Sequence, residues 1–182
     1  MRTQLPSLAL AALLMCLPPL LEAQGLPSSI GIDLPGQRAD GSVLLPNQWS
    51  LRPVGRQVTL GDFPVNIAVH PGGGHAAVLH SGYGDHEIAI VDLGQGKVVT
   101  RVGVSEAFYG LAFSADGARL YCSGASEEVV HAFAFRGGFL GEQRSVRIRP
   151  EAERGVPGGV AVSRDGAQLW VASVWGHRVT GV

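Results

Sequence analysis

One segment recurs three times along this chain. It begins at Pro64, again at Phe108 and again at Pro157. The second copy reads Phe108-Tyr-Gly-Leu-Ala-Phe-Ser-Ala-Asp-Gly-Ala-Arg-Leu-Tyr-Cys-Ser. The third reads Pro157-Gly-Gly-Val-Ala-Val-Ser-Arg-Asp-Gly-Ala-Gln-Leu-Trp-Val-Ala. Ala68, Ala112 and Ala161 are equivalent, at offsets of 44 and 49 residues. A strand-rich unit repeating at about 40–50 residues indicates a radially repeated β fold, a propeller. One unit of this kind cannot bury its own faces and depends on its neighbours.

Each unit divides into four strands, a to d. Strand a covers Asn66–His70, Gly110–Ser114 and Gly159–Ser163, and strand b covers Ala76–His80, Leu120–Gly124 and Leu169–Ser173. Strand c covers Glu87–Asp92, Val129–Phe135 and His177–Val182, and strand d covers Lys97–Val102 and Gln143–Ile148. Asp116-Gly117 and Asp165-Gly166, with Gly72-Gly73 in the first unit, mark the a–b hairpins, because glycine tolerates the backbone angles a tight turn needs. The recurring alanine suits the innermost strand, where sheets converge; Phe113 and Val162 fill the wider space. Arg56–Leu60 aligns with strand d and is expected to close the ring from the N-terminal side. The expected fold is therefore all-β. It is a partial β-propeller of two full four-stranded blades, one incomplete blade and an N-terminal closing strand. A closed propeller has about 4–8 blades, so this reads as the front part of a longer ring. Alone, it would expose strand edges and sheet faces and would aggregate or oligomerise.

Around this core the chain is organised simply. Arg2 precedes an apolar run, Leu5–Leu21, broken by Pro6, Pro18 and Pro19, and Ala23 offers a small residue for cleavage. This reads as a secretory signal peptide over residues 1–23, giving a secreted or periplasmic product with no membrane segment after cleavage. Residues 24–54 are rich in Pro and Gly and read as an irregular lead-in anchored by Trp49 and Leu51. Residues 55–182 are the partial propeller. The formal net charge is -1 and Lys97 is the only lysine. Nucleic acid is not an expected partner, since that needs a basic stripe.

Strands alternate in direction, so the d–a and b–c loops emerge on one face, the usual ligand end of a radial fold. The d–a loops bring Asp62, Asn66, Glu106, Tyr109 and Arg154 there. The b–c loops bring Tyr83, Asp85, His86, Trp175 and His177. These form the candidate ligand-binding rim, set against ordinary loop polarity and packing between blades by Tyr109 and Trp175. His70 and His75 flank the first hairpin and His80 points to the other face; two histidines do not complete a zinc site. Cys122, mid-strand, reads as a buried apolar residue. Gly94-Gln-Gly96-Lys97 lacks the spacing of a phosphate loop and reads as a hairpin turn. No catalytic constellation stands out, so an enzyme is not expected of this stretch.

With these motifs the chain resembles the YVTN-type, YncE-like propeller family of secreted bacterial proteins. The Val/Leu-Ala-Val/Phe-Ser-x-Asp-Gly-Ala-x-Leu-Trp/Tyr cores and Ile88-Ala-Ile-Val-Asp-Leu93 carry the likeness over residues 56–182; His70-Pro-Gly-Gly-Gly departs from it. The resemblance implies a binding or scaffolding module. Its partners would be remaining blades or a downstream domain, and a ligand or protein of unspecified kind. The stretch from Leu44 to Asp62 is similar to the opening of members in which a propeller precedes an alkaline-phosphatase-like phosphoesterase domain. Propeller lactonases are the other enzymatic alternative. They hold a divalent cation with acidic and amide residues about the axis, and Asp62, Asn66, Asp85 and Glu106 have that chemistry here. No cofactor is expected otherwise.

Overall fold

The computed structural model describes residues 33–182. The proposed signal peptide and the start of the lead-in lie outside the described residues. The chain divides at Val54/Gly55 into two compact units.

The first unit is not wholly irregular. It holds a small three-stranded sheet of β1 (Gly36–Gln37), β2 (Val43–Leu44) and β3 (Ser50–Leu51). Leu44 is buried there, whereas Trp49 and Leu51, the expected anchors, are exposed. The register explains Leu51: it pairs with Val43, and Leu44 with Ser50. Adjacent strand residues point to opposite faces, so Leu51 cannot share the side of Leu44. Trp49 lies before the strand, where its amide bonds Asn47 Oδ1 (3.1 Å).

The second unit contains three antiparallel sheets in sequence. Sheet I comprises β4 (Pro64–Val69), β5 (His75–His80), β6 (Glu87–Asp92) and β7 (Lys97–Gly103). Sheet II comprises β8 (Leu111–Phe113), β9 (Arg119–Ser123), β10 (Val129–Arg136) and β11 (Phe139–Arg147). Sheet III has three strands, β12 (Pro157–Val162), β13 (Leu169–Ser173) and β14 (Arg178–Gly181). The strands that open the sheets, β4, β8 and β12, touch their neighbours in succession. They therefore line the inside of the arrangement, as the three alanines require.

The cores form between sheets, and strand periodicity decides which side each residue serves. Ala77, Leu79, Ile88 and Ile90 of sheet I bury against Leu111, Leu120, Phe133 and Phe135 of sheet II. Val160, Val162, Leu169 and Val171 of sheet III pack with Val130 and Tyr121 of sheet II. Full burial of one such side chain is worth about 1.5–3 kcal/mol. Burial of this kind, not isolated hairpin stability, holds the unit together.

The Asp-Gly hairpins are wider than two residues. Ser114 pairs with Arg119 through its amide (2.9 Å), and Gly117 N–H donates to Ser114 O (2.9 Å). Gly117 has φ +71° while Asp116 does not enter the positive-φ region. A two-residue type I′ turn would need positive φ at both. The connection is instead a type I turn followed by a left-handed glycine. Asp116 Oδ1 accepts from Ser114 Oγ (2.6 Å) and Ala118 N (3.0 Å), and Ser114 Oγ accepts from Arg119 N (2.9 Å). Ser163 and Asp165 repeat every one of these bonds around Gly166 (φ +70°). In the first repeat His70 takes the serine's place, accepting from Gly72 N at Nδ1 (3.0 Å) and reaching Gly117 O with Nε2 (3.2 Å). Its ring packs on Phe113 and Phe135 of sheet II, at centroid distances of 5.1 and 4.7 Å. His75 meets Phe135 as well, at 5.6 Å, so both histidines serve an aromatic cluster between two sheets.

Arg56–Leu60 is not a strand. It finds no partner among the described residues, and a strand exists only through a ladder. It still runs beside sheet I in the expected direction: Arg56 donates to Leu93 O (3.0 Å) and Gly61 N–H to His80 Nε2 (3.1 Å).

Two predictions follow from these hairpins. Gly166→Ala meets no neighbour and costs only the left-handed backbone penalty, about 1–2 kcal/mol. Gly117→Ala costs more, because its methyl collides with the His70 ring; equal losses in urea unfolding would contradict this packing. Hydrogen bonds from the serine hydroxyls, then from the following amides, hold the Asp116 and Asp165 carboxyls below their ordinary pKa. A depressed carboxyl stabilises the fold above about pH 4 and loses that effect as pH falls through its lowered value. The stability gap between wild type and Asp116→Asn/Asp165→Asn should therefore shrink on acidification; a gap independent of pH would refute it.

Candidate functional site

The loops between β5 and β6, β9 and β10, and β13 and β14 share one face with the loops that lead into β4, β8 and β12. This follows from antiparallel pairing throughout. The ten candidate rim residues all belong to this end, yet they do not form one site.

Three groupings result. At the entry to sheet I, Asp62 Oδ2 accepts from the amides of Tyr83 (3.0 Å) and Gly84 (3.3 Å). Tyr83 itself projects fully into solvent. Between the β5–β6 loop and the connection that leaves β7, Asp85, His86 and Glu106 line an open depression of about 470 Å³ with Gly103–Ser105. His86 Nδ1 accepts from Ala107 N (2.9 Å), which fixes the ring against the d–a loop. Between sheets II and III, Arg154 and Trp175 line a smaller cavity of about 240 Å³ with Ser126, Glu128, Glu151 and Val156. Asn66 and Tyr109 stand apart. Asn66 Nδ2 donates to Tyr109 O (2.8 Å) and its Oδ1 accepts from Ile67 N (2.8 Å), so this amide ties sheet I to the entry of sheet II. His177 is exposed, with φ +48°, and lines neither cavity. Tyr109 and Trp175 are more than half exposed, at 53% and 68%, and are not packing residues between sheets.

The acidic and amide residues do not fit a divalent cation. Asp62 Oδ2 is occupied by two amides, and both ends of the Asn66 amide are used. Among the described residues no group of three or more His, Cys, Asp or Glu side chains converges. Cys122 is buried, and desolvation pushes its thiol up to about 12, which leaves it protonated and unreactive at neutral pH.

The sequence reading missed a buried pair at the same end. Glu128 is fully buried at the end of the 3₁₀ turn Ala125–Glu127, in a left-handed conformation (φ 56°, ψ 36°). Its Oε1 accepts from Val156 N (2.7 Å), and its Oε2 lies 3.5 Å from Arg149 Nε. Arg149 donates to Ser173 Oγ (2.8 Å). Its guanidinium fills a slot where a side chain at Gly155 or Gly176 would collide. The pair joins the b–c loop of sheet II to the d–a loop and to sheet III. Local sequence carries no sign of it, since the partners lie on different connections and the glycines matter only through the guanidinium between them. Removing one member leaves the other buried and unpaired, so Glu128→Ala should cost about 3–5 kcal/mol. Glu128→Leu/Arg149→Met should recover part of that in chemical denaturation; a near-neutral single variant would show that the pair is not dry.

Solved structures with the same arrangement are known. The hydrazine synthase of Kuenenia stuttgartiensis superposes with a TM-score of 0.59 at 17% identity, over 77% of this chain and 45% of that one. A luciferin-regenerating enzyme gives 0.54 at 19%, over 64% and 41%. A gluconolactonase of Xanthomonas campestris gives 0.53 at 21%, over 77% and 53%. At these identities the likeness is one of fold, and it makes the sheets propeller blades. The chain spans about half the length of these structures. No curated protein matches its sequence. The family described as SMP-30/Gluconolactonase/LRE-like region matches residues 76–182, more than half of the chain, and the chain belongs to that family.

Proposed function

We propose that this chain is a YVTN-like propeller module of the family, exported by its N-terminal segment, that binds a small polar ligand at the loop-bearing face without turning it over. One observation carries this reading. At the loop-bearing face, the imidazole in the depression and the carboxylate at the neighbouring entry to sheet I are already spent on the fold. The His86 Nδ1 lone pair takes the Ala107 amide, and Asp62 takes two amides of its neighbouring loop. A general base must reach the proton that it abstracts, and these groups face backbone donors. Asp85 and Glu106 remain on the walls of the depression and supply acceptors for hydroxyl or N–H groups. A few polar groups in a concave site are what ligand binding needs. The export reading rests on the apolar run Leu5–Leu21 and the small residue Ala23.

Lactone hydrolysis is the second reading, and family membership favours it. The two separate in one experiment. Gluconolactone is added to the purified chain with and without calcium, zinc or manganese, and both binding and ring opening are followed. The binding module should bind without raising hydrolysis above the uncatalysed rate, and Asp85→Ala/Glu106→Ala should weaken binding about tenfold or more, the worth of one or two lost hydrogen bonds. Hydrolysis stimulated by a cation and abolished by Asp62→Ala would establish the lactonase instead.

A further inference from the structure

The repeat makes a second opening at the loop-bearing end, one blade on from the depression beside Asp85. It lies between the loop that joins β9 to β10 and the connection that joins β11 to β12, with the β13–β14 loop alongside. Ser126, Glu128, Glu151, Arg154, Val156 and Trp175 line this cavity of about 240 Å³. Its two main walls are built alike. Each is a three-residue 3₁₀ turn, Ala125–Glu127 or Glu151–Glu153, ended by a left-handed residue, Glu128 or Arg154.

The backbone around the cavity is strained. Ala125, Glu128, Arg154 and Val156 have φ of 43°, 56°, 46° and 55°. For Val156, branched at Cβ, such an angle is an outlier. Bonds on both sides hold it there: Val156 N donates to Glu128 Oε1 (2.7 Å), and Val156 O accepts from Val174 N (2.9 Å). Strain imposed in this way gathers at ligand clamps. Glu128 adds an independent mark. It lines the cavity and is fully buried, yet its Oε2 has no hydrogen-bond partner among the described residues, and neither has Arg149 Nε beside it. A buried acceptor left unpaired carries a desolvation cost that an incoming donor removes.

Charge selects the ligand. Glu128 is neutralised by Arg149 at 3.5 Å. Glu151 and Arg154 are exposed, and the ion pairs among the described residues use neither. One free carboxylate and one free guanidinium leave the walls with no net charge. A simple anion is repelled by Glu151 and a simple cation by Arg154, whereas a zwitterion satisfies both. Arg154 offers a planar fork to a carboxylate. Glu128 Oε2 and Glu151 offer acceptors to an ammonium. Val156 and the exposed Trp175 supply apolar surface, and an indole face also attracts a cation. The volume lies below the ~300–1,000 Å³ of pockets for drug-sized ligands, which limits the ligand to the size of a single amino acid.

We propose that this cavity binds a free α-amino acid with an apolar side chain. The carboxylate sits on Arg154, the ammonium at Glu151 and Glu128 Oε2, and the side chain along Trp175 and Val156. The site is separate from the depression beside Asp85 and Glu106, and its fate in experiment is independent of that one.

The test titrates L-leucine into the purified 182-residue chain, followed by calorimetry and by the indole N–H resonance of Trp175. Leucine should bind at one site and shift that resonance. Isocaproate lacks its ammonium and isopentylamine lacks its carboxylate, and each should bind about tenfold more weakly or worse. Arg154→Gln should weaken leucine about tenfold and leave isopentylamine no weaker. Glu151→Gln should weaken leucine similarly and leave isocaproate no weaker. Both side chains are exposed, so both variants should fold. Asp85→Ala/Glu106→Ala should bind leucine as wild type does. No leucine binding at millimolar concentration, analogues that bind as well as leucine, an unchanged affinity in Arg154→Gln, or loss of binding in Asp85→Ala/Glu106→Ala would overturn the proposal.

Discussion

Burial of each sheet's apolar face by the next sheet is the constraint on which this structure rests. No sheet here has a covered face of its own making. Leu79, Ile88 and Ile90 leave water only because Leu120 and Phe133 stand opposite. Alanine at the inner strand lets neighbouring sheets approach, and bulk on its other side fills the gap. The same alternation, carried from sheet to sheet, sets the direction of the whole array. It also leaves the two ends unlike one another.

Polar groups at the loop-bearing end work mainly for this stacking. Asn66 ties the first sheet to the loop entering the second. His86 fixes the loop between them. Glu128 and Arg149 join the second sheet to the third. Each sits at a junction between sheets, where strand hydrogen bonds cannot reach. The result is an end rich in acidic, amide and imidazole groups whose acceptors are largely committed. Room for ligand chemistry is left where Asp85 and Glu106 border the open depression.

Sequence periodicity exposed what is periodic in the structure. The recurring alanine, the alternation of strands a to d and the Ser-x-Asp-Gly turns all reflect local backbone needs repeated in each unit. The turns differ from a two-residue hairpin because Ser114 and Ser163 bond back across the loop and widen it. Arg56–Leu60 has the pattern of a strand, but pairing is a property of two segments and the pattern belongs to one. The Glu128–Arg149 pair was invisible for a related reason. It depends on two glycines and a left-handed turn meeting from separate connections. The rim residues were placed at the right end by strand direction, while their grouping followed from which sheets adjoin.

The dependence of each sheet on its neighbour is tested most directly by native-state hydrogen exchange in sheets I and II. Amides of β5, β6, β9 and β10 should open together, with one shared free energy and one shared denaturant dependence, as a single cooperative unit. Opening of sheet I at a lower free energy while sheet II stays protected would show that the sheets stand alone, and would contradict the account.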